Sequence, residues 1–80
     1  MMISGVLVVS KPEHQSQVRT ALEVFSWAEI HHEDPDGRLV ITIEADDIDQ
    51  ATARLCEVKE LPRVILAEMV EHYVEDQGER

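Results

Sequence analysis

The order of short strand-like and helix-like segments constrains the fold of this chain more than any other feature. Residues 3–9 are an almost continuous apolar run, which is typical of a central strand covered on both faces. Pro12 then suits the first turn of a helix, where Glu13 lies favourably near the positive end of the helix dipole. An apolar stripe follows at spacings of three and four: Val18, Ala21, Leu22 and Phe25. The chain therefore begins with a strand and an amphipathic helix.

A β-hairpin is predicted in the middle of the chain. Residues 27–34 form its first strand, which ends at the tripeptide Pro35-Asp36-Gly37. This tripeptide is a strong turn signal because proline fixes φ and glycine accepts a positive φ. Residues 38–44 then alternate apolar and polar side chains, which is the pattern of a strand with one buried face.

A second helix and a last strand complete the pattern. Asp46 or Asp47 can cap this helix, and Pro62 ends it. Its buried stripe is predicted from apolar residues at helical spacing: Ile48, Ala51, Leu55 and Val58. Cys56 is expected beside this stripe as a small core residue. The last strand is predicted over residues 64–73, and residues 75–80 are expected to form a polar, frayed tail.

The two strand–helix–strand halves predict an α+β fold, the ferredoxin-like βαββαβ sandwich. In this fold a four-stranded antiparallel sheet carries two helices on one face, with the first and third strands in the centre. A chain of 80 residues buries too little surface for a second core, so we expect a single domain over residues 1–80. The opposite face of the sheet is left open.

Alternation along the predicted strands divides their side chains between the two faces of the sheet. Toward the helices we place Val6, Val8, Ile30, Leu39, Ile41, Ile43, Ile65, Ala67 and Met69. Toward the open face we place Leu7, Val9, Glu29, His31, Glu33, Val40, Thr42, Leu66, Glu68 and Val70. The open set has an apolar centre and carboxylates on both flanks. Small proteins seldom leave such a patch uncovered unless a partner binds it.

The charge of the chain narrows the class of partner. Seventeen acidic residues stand against 7 basic ones, for a net charge of −10. This charge disfavours nucleic acid, whose phosphates need cations, and the predicted central strands lack base-stacking aromatics. It favours cationic partners instead. The longest apolar run is too short to insert stably in a membrane or to act as a signal peptide, and the single cysteine forms no internal disulfide, so we expect the cytoplasm.

The sequence offers no catalytic, cofactor or metal motif. The serines lack a recognisable base context, and the three glycines are too scattered to cradle a phosphate. His31 and His32 are adjacent on a predicted strand, so they are expected to point to opposite faces and not to share one metal ion. The prediction is a binding protein without enzyme activity, metal or cofactor.

Several segments of this chain resemble the NapD family, small cytoplasmic maturation chaperones of periplasmic nitrate reductase. The resemblance begins with residues 3–9 followed by Lys11-Pro12-Glu13, and continues through Glu29-Ile30. It extends over the turn and strand at residues 36–40 and over residues 43–47, and ends with residues 61–73. Two positions differ from the usual pattern of that family: Glu71 replaces a Tyr, and Arg63 replaces a common Gly.

The resemblance implies a ferredoxin-like fold and a partner, the twin-arginine signal peptide of the nitrate reductase catalytic subunit. Binding would delay export of that subunit until its molybdenum cofactor is inserted. Combined with the face assignment, it gives a site hypothesis with an apolar part and an acidic part. The apolar part of the peptide would lie on Leu7, Val9, Val40, Leu66 and Val70. Its arginines would face Glu29, Glu33, Glu44 and Glu68.

Three alternatives stay open at this point. The same peptide could add as a strand to the edge of the last strand. The chain could be a regulatory module that senses a small molecule and dimerises through its open face. It could also resemble dimeric mono-oxygenases of similar size, although no polar or haem-lining cavity is evident. The chaperone hypothesis predicts a monomer.

Overall fold

The computed structural model describes residues 1–74, in which four strands and two α-helices alternate. These elements are β1 (Met2–Val9), α1 (Gln15–Glu23), β2 (Ala28–Glu33), β3 (Arg38–Ala45), α2 (Ile48–Lys59) and β4 (Leu66–Val74). The strand order is β2-β3-β1-β4, and every neighbouring pair is antiparallel. The predicted ferredoxin-like order, with the first and third strands in the centre, is confirmed. The predicted frayed tail, residues 75–80, lies outside the described residues.

The hydrophobic core lies between the sheet and the two helices. Strict alternation on β1 and β3 supplies most of it, because every second residue of each strand points toward the helices. The buried core residues are Val6, Val8, Val18, Leu22, Leu39, Ile41, Ile43, Val58 and Ala67. All of them were predicted to face the core, either on a helix stripe or on the helix side of the sheet.

Three residues predicted in the core are exposed. Ile48 is the first residue of α2 and leaves 47% of its surface in solvent, whereas Ala51, one turn later, is buried. Cys56 is also exposed, because it lies about 100° around the helix from its neighbour Leu55. Ile65 precedes β4 and is 65% exposed, so the alternation of that strand does not apply to it.

Both helix starts have a local cause, and the end of α1 differs from the prediction. A short 3₁₀ turn at Pro12–His14 leads into α1, which ends at Glu23. Phe25 therefore lies beyond the helix, where its ring stacks on Trp27 with centroids 4.3 Å apart. Asp47 caps α2 as predicted, because its Oδ1 accepts the backbone N–H of Gln50 at 2.9 Å.

The β2–β3 turn packs against the end of β1. Gly37 has a φ of +102°, the left-handed region that favours glycine, and its carbonyl accepts the N–H of Ser10 at 2.9 Å. A Cβ atom on Gly37 would lie 2.0 Å from the Ser10 carbonyl oxygen. This contact joins the hairpin turn to the end of the central strand β1.

Two β-bulges interrupt the sheet, and both place the extra residue on an edge strand. In β2 the register with β3 shifts between Ile30 and His32, so His31 has no direct partner. In β4 the register with β1 shifts between the partners of Gly5 and Val6, which leaves Val70 as the extra residue. A bulge changes which face the following side chains occupy, and both shifts alter the predicted site.

Candidate functional site

The sheet face opposite the helices forms the candidate site. Its centre is apolar: Leu7 on β1 lies opposite Val40 on β3, and Val9 lies opposite Leu66 on β4. Val40, Leu66 and Val70 keep 37%, 43% and 59% of their surfaces exposed, although all three are aliphatic. Leu7 and Val9 are half-buried. These five residues, predicted as the apolar part of a binding site, share the open face.

A shallow groove of about 400 Å³ runs across the middle of this face. Gly5 forms its floor, and the walls come from three strands: His31 on β2, Val40 and Thr42 on β3, and Val70 and Glu71 on β4. A Cβ atom on Gly5 would lie 3.3 Å from Cγ of Glu71 and 3.7 Å from Cγ2 of Val70. The missing side chain of Gly5 is therefore what leaves room for the groove.

Gly5 and Glu71 line the groove of the candidate site, and sequence reasoning did not place them there. Regular alternation puts Val70 and Glu71 on opposite faces, but the bulge in β4 brings both against Gly5. One signal was available for Gly5, since glycine inside an apolar strand often marks a bulge or a close approach. Nothing in the sequence singled out Glu71 as a groove residue.

The two ends of the open face carry different charged side chains. Glu29 on β2 lies opposite Thr42, Glu44 on β3 lies opposite Ile3, and Glu71 on β4 lies opposite Gly5, so three carboxylates from three strands lie in the half of the face nearer Ile3. Arg38 lies opposite Val9 at the other end, where its guanidinium is 3.4 Å from Asp34. Glu68 lies between them, opposite Leu7. We call the first group, with Glu29, Glu44 and Glu71, the acidic end of the face.

The prediction that Glu33 lies on the open face is wrong. After the bulge at His31, Glu33 pairs with the core residue Leu39 instead of an open-face residue. Its Oε2 accepts a hydrogen bond from the Arg19 guanidinium of α1 at 3.1 Å, on the helix side of the sheet. The extra residue shifts the alternation by one, which moves this carboxylate to the other face.

The same bulge changes the expected geometry of the histidines. His31 stays on the open face, where its Nε2 is 2.8 Å from the Thr42 hydroxyl and 4.0 Å from Oε1 of Glu29. His32 takes the register position opposite Val40, which also belongs to the open face. The prediction that His31 and His32 point to opposite faces is therefore wrong, because the bulge gives His32 an open-face partner as well. Among the described side chains, which are those of residues 1–71, no group of three or more His, Cys, Asp or Glu is placed to hold a metal ion.

Neither helix of the described chain has the length and apolarity needed to cross a membrane.

The comparisons with known proteins agree on one family. The family model of the NapD protein matches residues 1–76. The chaperone NapD of E. coli strain K12 is 30% identical over 78 residues, which cover 96% of this chain and 90% of that relative. The Shigella flexneri chaperone NapD matches with the same values.

A solved structure leads to the same family. The solution structure of the E. coli Tat proofreading chaperone protein NapD aligns with a TM-score of 0.81 and 29% sequence identity. The alignment covers 96% of this chain and 82% of that one. The resemblance found in the sequence is thus confirmed along nearly the whole chain, and the protein belongs to the NapD family of chaperones.

Proposed function

We propose that this chain binds the twin-arginine signal peptide of the periplasmic nitrate reductase catalytic subunit in the cytoplasm, and thereby delays export until the molybdenum cofactor is inserted. A chaperone family implies a protein client and a role without catalysis. One observation carries the proposal: the sheet keeps an uncovered apolar centre with three carboxylates at one end. A peptide with a cationic start and an apolar middle matches that surface.

The charge distribution suggests how the peptide is oriented. Its arginines would lie at the acidic end, near Glu29, Glu44 and Glu71, because the carboxylate at the opposite end, Asp34, is already paired with Arg38. Its apolar segment would then cover Val40, Leu7 and Leu66. Glu68, beside Leu7, is close enough to the centre to favour a cation early in the apolar segment.

Apolar contact and charge have different roles in this proposal. An exposed ion pair contributes only about 0.2–1 kcal/mol, so two arginines cannot supply tight binding. Burying a few hundred square ångströms of apolar surface contributes several kcal/mol at ~25 cal/mol/Å² before ordering costs. Affinity should therefore depend on the apolar centre, while the acidic end should set the rate of encounter and the selectivity for arginine.

A calorimetric titration tests the proposal. The wild-type chain is titrated with a synthetic twin-arginine leader, and then with the same leader carrying glutamine in place of both arginines. We expect the first to bind and the second to bind about three- to thirtyfold more weakly, with a smaller difference at high salt. Absence of binding by the natural leader would contradict the proposed function.

Glu29 and Glu33 form a matched pair for testing the acidic end, because they lie on the same strand but on opposite faces. Glu29→Gln should weaken leader binding about two- to fivefold by removing one carboxylate from the acidic end. Glu33→Gln should leave leader binding unchanged, since that carboxylate contacts Arg19 on the helix side. Surface plasmon resonance of both variants reports the effect mainly as a slower association for Glu29→Gln. Equal association rates for the two variants would argue against this location.

Gly5 offers a test of the groove itself. Gly5→Leu should place a branched side chain between Val70 and Val40 and fill the space that a peptide side chain would enter. Loss of one buried aliphatic contact corresponds to about 1.5–3 kcal/mol, or roughly ten- to a hundredfold in affinity. Gly5→Ala is the control, because the atom nearest to its Cβ would be Cγ of the flexible Glu71 side chain at 3.3 Å, and the other neighbours lie at ordinary contact distance. Titration with the leader should give a lower affinity for Gly5→Leu than for Gly5→Ala. Equal affinities of the two variants would show that the leader does not bind in the groove.

Edge addition remains the second mode for the same partner, because β4 is an edge strand. Backbone amide NMR distinguishes the modes: face binding shifts resonances on β1 and β3, whereas edge addition shifts those on the outer side of β4. The chain acts as a monomer in this proposal, since a dimer built on the open face would cover the site. A monomeric mass at micromolar concentration, measured by light scattering without peptide, is the expected result.

A further inference from the structure

The cations of this acidic chain fall into two groups. Arg19 pairs with Glu33, Arg38 pairs with Asp34, and Arg54 donates to the Glu44 carbonyl and lies 5.2 Å above the Trp27 ring. The other cations of the described chain are Lys11, Lys59 and Arg63. Among residues 1–71, whose side chains the structure describes, none of these three has an ion-pair or hydrogen-bonding partner for its side chain.

The three unpaired cations gather around one exposed aliphatic side chain. Lys11, His14 and Arg63 line a hollow of about 190 Å³ together with Val64 and Ile65. Lys59 lines the neighbouring hollow of about 300 Å³, which shares Val64 and Ile65. Ile65 is 65% exposed at the centre of this arrangement. We call this surface, made of Lys11, His14, Lys59, Arg63 and Ile65, the basic corner.

Arg63 holds an uncommon backbone conformation at the basic corner. Its φ is +76°, a region where a side chain costs energy and where glycine is the default residue. Hydrogen bonds on the following residues fix this turn, from Val64 N–H to the Leu61 carbonyl at 3.3 Å and from Ile65 N–H to the Val9 carbonyl at 2.8 Å. A cation kept at such a position, with no partner among the described residues, is a candidate for function.

We propose that the basic corner docks an acidic segment of a protein partner, as a second binding surface separate from the proposed leader site. Carboxylates of the partner would meet Lys11, Lys59 and Arg63, and an apolar side chain of the partner would cover Ile65. Charge complementarity selects this chemistry, because the chain has a net charge of −10 and elsewhere repels an acidic partner. The exposed Ile65 gives the surface an apolar centre with a charged rim, as in protein interfaces.

A protein fits the basic corner better than nucleic acid or an anionic membrane does. Polyphosphate and lipid surfaces are bound by larger cation clusters, since each phosphate contact adds only a modest electrostatic gain. Here only three full positive charges are present, and Glu68 lines the same hollow as Lys59. The remaining negative charge of the chain opposes long-range attraction to a polyanion.

The test uses a fluorescein-labelled octapeptide, Glu-Asp-Leu-Glu-Phe-Glu-Asp-Glu, in an anisotropy titration at low salt. The same peptide with its acids replaced by amides is the control probe. Wild-type chain should bind the acidic probe, bind the amide probe at least about fivefold more weakly, and lose most of this difference at high salt. Absence of saturable binding of the acidic probe would overturn the proposal.

Substitutions in and outside the basic corner show where the acidic probe binds. Arg63→Gly removes the cation and suits the positive φ, so the melting temperature should not fall while probe affinity drops about two- to fivefold. The double variant Lys11→Gln with Lys59→Gln should lower the affinity for the acidic probe further. Arg19→Gln is the matched control, because it removes one charge from a paired arginine on α1 and should leave probe affinity unchanged. Equal probe affinities for Arg63→Gly and Arg19→Gln would overturn the assignment.

Two further readouts separate the competing outcomes. Tighter binding to phosphatidylserine vesicles or to a labelled oligodeoxynucleotide than to the acidic peptide would assign the basic corner to another class of ligand and overturn the proposal. Arg63→Gly should keep wild-type affinity for the twin-arginine leader, since Arg63 lies outside the open face. Failure of the leader titration would contradict the proposed function alone, because the acidic probe tests a different surface.

Discussion

A Leu66→Asp variant is expected to lose measurable binding to the twin-arginine leader while it keeps its fold. Leu66 lies opposite Val9 on the open face and is 43% exposed, so it belongs to the apolar centre and not to the core. Replacing it removes a contact of about 1.5–3 kcal/mol and buries an unpaired carboxylate, which costs a further ~1–3 kcal/mol. The sum corresponds to a loss of roughly two to four orders of magnitude in affinity, which calorimetry would record as no heat of binding.

The matched control for Leu66→Asp is Val24→Asp. Val24 follows α1 and is 80% exposed, so the substitution makes a similar chemical change outside the open face. It should bind the leader as the wild type does. Far-ultraviolet circular dichroism of both variants verifies that the fold is retained. Equal leader affinities for Leu66→Asp and wild type would show that the peptide does not use this face.

Gly37→Ala is expected to destabilise the protein more than any other single methyl addition to a described glycine. The new Cβ would lie 2.0 Å from the Ser10 carbonyl oxygen, which is backbone and cannot rotate away. The φ of +102° adds strain for any residue with a side chain. Strain and clash together should lower the free energy of unfolding by about 2–4 kcal/mol, a large part of the stability of a small domain.

Urea denaturation compares this variant with Gly5→Ala. At Gly5 the nearest atom to the new Cβ is Cγ of the Glu71 side chain at 3.3 Å, and this side chain can move. We therefore expect a change below about 1 kcal/mol for Gly5→Ala. If both variants unfold at the same urea concentration, the close contact between the hairpin turn and the end of β1 is not formed in solution.

The regular parts of the sheet were predictable because alternation carries a direct geometric meaning. Residues of β3 alternate between the core and the open face along the whole strand, and β1 shows the same alternation of burial from Val6 to Val9. The turn at Gly37 was predictable for a similar reason, since only a few residue types tolerate a positive φ. This reasoning correctly placed five apolar residues of the candidate site on the open face, and with them Glu29 and Glu44.

The irregular parts were not predictable, because a bulge leaves the composition of a strand unchanged. The extra residues, His31 and Val70, differ in no local property from their neighbours, yet each shifts the faces of the residues that follow it. This shift explains why Glu33 contacts α1 and why Glu71 joins the groove. The prediction that Cys56 is buried was wrong for another reason. A short helix covers only a narrow stripe of the core, and adjacent helix positions differ by about 100°.

Both bulges lie on the strands that end the sheet, and this arrangement has a consequence for solubility. A straight border strand exposes a regular ladder of N–H and C=O groups that another molecule can extend into a fibre. Here each border strand is kinked by its extra residue and carries ionisable side chains, among them Glu29, His31 and Glu68. Such borders interrupt strand-by-strand growth, so the apolar open face can stay uncovered at cellular concentrations without seeding aggregates.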